Sequence, residues 1–343
     1  MPQKTFHEAS FCEGREAESF VRDFFFGPSG VIRSGHVSRA NLAFDARTQG
    51  WVGIPHGGIG MGAIAELATT LDSYPADGAS RYPMTLEYRL GGCPARIGDL
   101  ASVEVSSCDG QIEGKISIGL NPSPYMTAAI RYGVEDQEGK ELFSSFFPGD
   151  AAGLLPGGTA GLSKDWMPLP RYRDCFVCGT ERVYAGLKRT FHLWEAALPG
   201  RIIIAPVGDG ADDLDTFCRF QTDGIIHPLA FLALLDETVG WGGFMLSGSG
   251  GVTVRIRFTF YRDIKAGERV LVFGRGDKVR GKAASRLLYW GSGGAAVVHE
   301  NGRLEPVIAV SGQFLGVPEL TEQMKVELSP KDLTERAFEL AGS

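Results

Sequence analysis

Two histidines, each at the entrance to an apolar run, are the residues around which this sequence could assemble a reaction site. The first lies in Gly53-Ile-Pro-His56-Gly57-Gly58 and leads into the small-residue stretch Ile59 to Leu71. The second lies in Gly224-Ile-Ile-His227-Pro228-Leu229 and leads into Ala230 to Trp241. If each run is a helix, the backbone N–H groups at its start form a pocket for a developing oxyanion, helped by the helix dipole. Gly57 and Gly58 suit that task, because glycine lets a carbonyl oxygen approach the backbone closely. Pro228 has no N–H to offer and Leu229 adds bulk. The acid is distributed the other way. Asp236 stands nine residues after His227, where the first segment has Ala65 after His56. A carboxylate inside the run Leu229 to Leu235 is costly to bury charged, and its raised pKa suits a general base acting on water. Direct attack on a carbonyl is the other role open to it. Packed face to face, the two segments complete one site from His56, Gly57, Gly58 and Asp236.

Other residues in these segments have plainer readings. His56 is expected to hold its turn by a hydrogen bond to backbone rather than to carry protons. Glu66 is one residue off the position of Asp236, about 100° around a helix, and could serve a second site only if the register slipped. Glu237 is read as a solvated neighbour, and Thr238 as a group that could orient the water or the carboxylate.

Elements of similar order must position both segments. In the first half, the strand-like Met84 to Leu90 precedes Pro94-Ala-Arg-Ile-Gly98-Asp99, and extended stretches follow at 100–107, 115–120 and 126–132. In the second, Val252 to Phe260 precedes Asp263-Ile-Lys-Ala-Gly267-Glu268, followed by stretches at 269–274, 284–290 and 307–314. Phe258 and Phe260 alternate with Arg257 and Thr259, as a sheet with one buried face requires. One helix against one antiparallel sheet, twice, is an α+β arrangement. The expected division is an N-terminal domain at 1–147, a Gly/Pro/Ala-rich linker at 148–172, a C-terminal domain at 173–318 and a helical tail at 319–343. Within the tail, Ser329-Pro330 followed by Lys331 to Leu340 reads as a capped helix.

The chain's 343 residues fit two domains of about 150. A net charge of −7 argues against general nucleic-acid binding. No apolar run reaches about 18 residues, so no membrane span is expected. Met1 to Glu8 contains no apolar h-region of a secretory signal, and six cysteines without one fit a reducing, cytoplasmic setting.

The motifs Cys175-Phe-Val-Cys178-Gly179 with Gly186-Leu187, Asp223-Gly-Ile-Ile-His227 with Leu234-Leu-Asp236-Glu237-Thr238, and His56-Gly57-Gly58 resemble those of the hot-dog fold superfamily. The resemblance is strongest to its phenylacetate-pathway-type acyl-CoA thioesterases, and it covers residues 173–316 well and 30–135 more weakly. It implies two fused hot-dog domains, each a curved antiparallel sheet wrapped around a central helix. It also implies sites where the two central helices meet, with the loop from one domain and the acid from the other. On that footing Gly57 and Gly58 would bind the oxygen of an acyl-CoA or acyl-carrier-protein thioester. Asp236 would activate water, and the His227 side, facing Ala65, would be a decayed second site. No metal or redox cofactor is implied, coenzyme A being part of the substrate. An acyl-thioester hydratase or dehydratase pairing Asp236 with His56 is the runner-up, and a non-catalytic acyl-CoA-binding scaffold is the third reading. Further assembly into a homo-oligomer is open.

Three remaining signals weigh less. Gly58-Ile-Gly60-Met-Gly62-Ala63 imitates a dinucleotide fingerprint but lacks the βαβ setting, so packing glycines are expected. Cys175-x-x-Cys178 lacks a second ligand pair for zinc. Lys278, Arg280 and Lys282 form the most basic cluster, which reads as a solvated hairpin or as a patch for the phosphates of coenzyme A.

Overall fold

The computed structural model describes residues 20–27, 30–75, 81–134, 136–147, 166–195, 201–208, 217, 219–281 and 286–342. Thirteen strands join in one antiparallel sheet. In the first half they are β1 (Ile32–Ser34), β2 (Val37–Ala43), β3 (Met84–Leu90), β4 (Leu100–Cys108), β5 (Gln111–Ile118) and β6 (Met126–Tyr132). The second half adds β7 (Trp166–Pro168), β8 (His192–Glu195), β9 (Arg201–Val207) and β10 (Gly251–Phe260). It is completed by β11 (Val270–Arg280), β12 (Leu288–Val298) and β13 (Leu304–Gly316). Their spatial order is β1-β2-β4-β5-β6-β3-β10-β13-β12-β11-β9-β8-β7. The halves meet at β3 and β10, where Leu86 lies opposite Phe258 and Met84 opposite Phe260. Either side of that junction the strands follow in corresponding order, which is the two-unit hot-dog arrangement expected from the motifs.

The helices include α1 (Phe20–Phe26), α2 (Gly57–Ala68), α3 (Gln137–Phe146), α4 (Pro228–Ser247), α5 (Pro318–Glu327) and α6 (Lys331–Leu340). The sheet wraps α2 and α4, which lie against each other in the centre. They run antiparallel: a Cβ on Gly58 would collide with Ala233, and one on Gly62 would meet Leu229. The glycines of the dinucleotide-like string are therefore packing residues. Gly60 is likewise closed in by Met126 and Ile116.

The faces of the sheet explain the strand composition. In β4, Ala101, Val103 and Val105 are buried while Ser102 is exposed, so the strand alternates. In β11, Val270 and Val272 belong to the central core, whereas Leu271 and Phe273 join Phe146 and Phe147 in a second cluster on the outer face. There α3, which follows the first half's last strand, covers the second half's sheet. Burial on both faces is why Val270 to Phe273 is continuously apolar.

Three expectations need correction. Sequence placed a strand at 284–290, but β12 runs from Leu288 to Val298, straight through Gly291-Ser-Gly-Gly294. These glycines leave room for neighbours: a Cβ on Gly291 would meet Val239 Cγ1 at 2.7 Å. Also, α4 is 20 residues long, with a mean hydropathy of 1.4 over its most apolar window. It has the length and composition to cross a membrane, yet 83% of that window is buried inside the sheet, which accounts for its apolarity. Finally, α6 forms as expected, but its N-terminus has no side-chain cap. Most of the expected linker, 148–165, lies outside the described residues.

Candidate active site at the crossing of the two central helices

Each histidine is the N-cap of its helix. His56 Nδ1 accepts the N–H of Gly58 at 3.0 Å, and His227 Nδ1 accepts that of Leu229 at 3.1 Å. The antiparallel contact then sets the other ring nitrogen. Each chain segment has a glutamate ten residues after its histidine, about 15 Å along a helix. The cap of one helix therefore meets the glutamate of the other. His56 Nε2 lies 3.4 Å from Glu237 Oε2, and His227 Nε2 lies 3.1 Å from Glu66 Oε2.

The two crossings differ in what surrounds them. At the His227 end, Glu66 also accepts Arg22 Nε of α1 at 2.8 Å. Burial would raise the Glu66 pKa, but the His227 hydrogen bond and the charges of His227 and Arg22 hold it below the usual carboxylate range. Leu229 and Phe25 pack against Gly62, so side chains fill this position. Glu66 is thus held by His227 and Arg22, and no shift of register is needed to explain it.

At the His56 end there is a cavity of about 1070 Å³, whose lining includes His56, Gly57, Cys175, Asp236, Glu237 and Thr253. A Cβ on Gly57 would sit 3.0 Å from Asp236 Oδ2, so glycine from one half directly faces the acid from the other. Gly57 is the first residue of α2, where an N–H has no acceptor within the helix. Thr253 Oγ1 donates to Asp236 Oδ1 at 2.6 Å. Burial raises the Asp236 pKa, only partly offset by His56 and Thr253.

Gly58 does not share the role of Gly57. Its N–H is committed to His56 Nδ1, and its missing side chain serves the contact with Ala233. Glu237 is not a solvated neighbour either: besides His56, it accepts the Cys175 thiol at 3.3 Å. Thr238 is turned away and donates to Leu234 O of its own helix. Of the basic cluster, Lys278 and Arg280 lie on β11 outside the cavity lining, Lys278 resting 5.5 Å from the Trp290 ring. Lys282 lies outside the described residues. The arginines that do line the cavity are Arg96 and Arg286, both exposed.

The Cys175–Cys178 turn has a positional role. Phe176 N donates to Gln49 O at 2.7 Å, and Gln49 Nε2 donates to Tyr172 at 2.8 Å, which ties this turn to the strand leading into His56. Val177 N and Cys178 N both point at Cys175 Sγ. Among the described residues, His56, Cys175 and Glu237 offer ligand atoms within 4.8 Å of one another, close enough for a metal ion. The cap opposes that use. Nδ1 can accept from Gly58 only when bare, so the ring's proton sits on Nε2 and leaves no lone pair toward the cluster. Burial disfavours a charged ring, but the Glu237 hydrogen bond and the neighbouring Cys175, Asp236 and Glu237 lift its pKa to about 9. A second proton, on Nδ1, would displace the Gly58 cap, so the ring holds one proton while the cap is made.

The motifs pointed to Asp236, His56 and Gly57. Thr253 carried no signal in the sequence, and Arg96 gave none beyond its place beside a turn. Glu237 was visible through one regularity, the shared ten-residue spacing of His56–Glu66 and His227–Glu237.

No protein-family model matches this chain, and no curated protein does. Solved structures with a similar course include a tesB protein of Mycobacterium avium subs paratuberculosis, at 12% identity and a TM-score of 0.49, covering 84% of this chain and 96% of that one. Another is acyl-CoA thioesterase II TesB2 from Mycobacterium marinum, at 15% identity and a TM-score of 0.45, covering 88% and 97%. A third is the dehydratase domain of PpsC from Mycobacterium tuberculosis in complex with C12:1-CoA, at 12% and 0.46, covering 86% and 99%. At such identities the likeness concerns the chain's course and not its chemistry.

Proposed function

We propose that the chain hydrolyses acyl thioesters of coenzyme A or of an acyl-carrier protein at one composite site. The observation that carries this reading is the meeting of Gly57, at the open start of α2, with the buried carboxylate of Asp236 from α4 inside a cavity. The thioester oxygen is oriented toward the Gly57 N–H at the positive end of α2. Asp236, ionised and held by Thr253, takes a proton from water as the water oxygen bonds to the carbonyl carbon. Collapse of the tetrahedral intermediate breaks the carbon–sulfur bond, and the proton held by Asp236 goes to the departing thiolate. The products are a carboxylic acid and a free thiol.

The tautomer of His56 favours hydrolysis over hydration or dehydration. In the latter reading Asp236 is paired with an imidazole that exchanges protons with the substrate. Here Nδ1 caps α2 and Nε2 faces Glu237. The test is release of free thiol from acyl-CoAs by the purified protein, run beside hydration of 2-enoyl-CoAs. Thiol release without hydration is expected. Hydration, or binding without release, would overturn the reading.

We assign the phosphates of coenzyme A to Arg96 and Arg286, which line the cavity, rather than to Lys278, Arg280 and Lys282. Replacing both by glutamine is expected to raise KM by about tenfold or more, with kcat little changed. The Lys278→Gln/Arg280→Gln pair should leave KM as it is. Steady-state kinetics at fixed ionic strength checks both, and the opposite pattern would restore the original assignment.

A further inference from the structure

The residues beyond β13 do more than end the chain. Val317 N donates to Gly250 O at 2.8 Å, and Gly250 N donates to Thr321 Oγ1 at 3.0 Å. This fastens α5 just upstream of Thr253, the residue that holds Asp236. Leu328 and Ser329 then pair with Tyr172 and Arg171, next to the Cys175 turn. Farther on, the Phe338 ring packs 5.0 Å from Phe244, and Gly342 N donates to Met245 O at 2.9 Å. The tail is therefore attached at both ends and in its middle, alongside the cavity.

Its inward stripe is apolar. Leu320, Met324 and Leu328 recur every four residues and line the cavity, while Glu319, Glu322 and Lys325 face out. Trp241 and Phe244 of α4 line the same cavity. Phe244 is eight residues beyond Asp236, about 12 Å along the helix. The charged residues of the lining, Arg96, Arg286, Asp236 and Glu237, come from other elements, and the tail contributes none.

We propose that the C-terminal tail forms the far wall of an acyl-binding subsite that takes neutral, hydrophobic acyl groups extending from Asp236 to Met324. The proposal rests on the thioester reading of the same cavity. A short acyl group would leave the apolar wall in contact with water, and an acyl group with a terminal carboxylate would bury an unpaired charge. Met324 is the residue that limits length, since its sulfur packs directly on Gly250, where a Cβ would collide with it.

The test measures binding without turnover. Non-hydrolysable S-methyl-, S-octyl- and S-(ω-carboxyalkyl)-coenzyme A thioethers are titrated into the full chain by calorimetry. The octyl probe is expected to bind about a hundredfold more tightly than the methyl probe, and the carboxyalkyl probe no better than methyl. Met324→Trp should remove the octyl advantage and leave methyl affinity unchanged. Should that variant fail to fold, Met324→Ala is expected to weaken the octyl probe alone by several-fold. Equal affinity for methyl and octyl probes, preference for the charged probe, or an equal effect of the Met324 variants on both chain lengths would overturn the proposal. An octyl preference in a protein that releases no thiol would leave the subsite standing and remove the hydrolase reading instead.

Discussion

Asp236→Asn is expected to reduce thiol release by about 10²–10⁴-fold while leaving acyl-CoA binding nearly unchanged. Asparagine preserves the size of the side chain and an oxygen to accept Thr253 Oγ1, so the cavity keeps its shape. It cannot take a proton from water. The pH dependence follows from the same burial. Only the carboxylate form is a base, and burial raises the pKa of Asp236. The rate should therefore fall on acidification at a higher pH than an ordinary aspartate would give, and this limb should vanish from the residual activity of the variant. Stability should move the other way. A pKa raised in the fold means that the neutral acid is favoured there, with a contribution present below the unfolded pKa and lost as pH rises through the folded one. Near neutrality the asparagine variant should consequently unfold at a higher temperature than the parent. Retained turnover in Asp236→Asn, measured with acyl-CoAs that bind normally, would sink the base role.

Glu66→Ala is the complementary case, costly to the fold and mild for the reaction. Glu66 accepts both His227 and Arg22 in a position filled by side chains, and its own side chain is 4% exposed. Removing it leaves His227 Nε2 buried without an acceptor, whereas Arg22, 42% exposed, regains water. The expected loss is about 3 kcal/mol, the low end for a broken buried pair. Its lowered pKa makes the contribution present above the usual glutamate range and lost as pH falls through the folded value. In denaturant titrations, parent and variant should therefore converge in strong acid. Thiol release per folded molecule should stay within a few-fold of the parent. A collapse of activity in Glu66→Ala, with Asp236→Asn still active, would move the reaction to the other end of the helix pair.

The balance of legible and hidden features can be followed residue by residue. The asymmetry of the two histidine segments was readable because glycine, proline and a carboxylate differ in backbone donors and charge, whatever surrounds them. The strands alternating over one buried face, such as β4, were readable for a similar reason. Where both faces are covered, composition misleads. Gly242 and Gly243 look like the end of a helix, yet α4 runs on to Ser247, and the Arg275 backbone and Tyr289 lie where their side chains would be. Gly291 to Gly294 look like a turn and form the centre of β12 for the same reason.

What the sequence by itself determined is the set of parts: two helix entries with histidine caps, glycine at one, an acid beyond the other, and sheets to hold them. Only the tertiary structure decided how the parts are shared. The antiparallel contact of α2 and α4 places Asp236 against Gly57 and crosses each histidine with the other helix's glutamate. The fold also brings Leu320 and Met324 of the tail to the cavity wall. Spacing along a chain reports which residues share a face of one element. Which faces then meet depends on close packing between elements distant in sequence, and that packing is set by shape rather than by any local pattern.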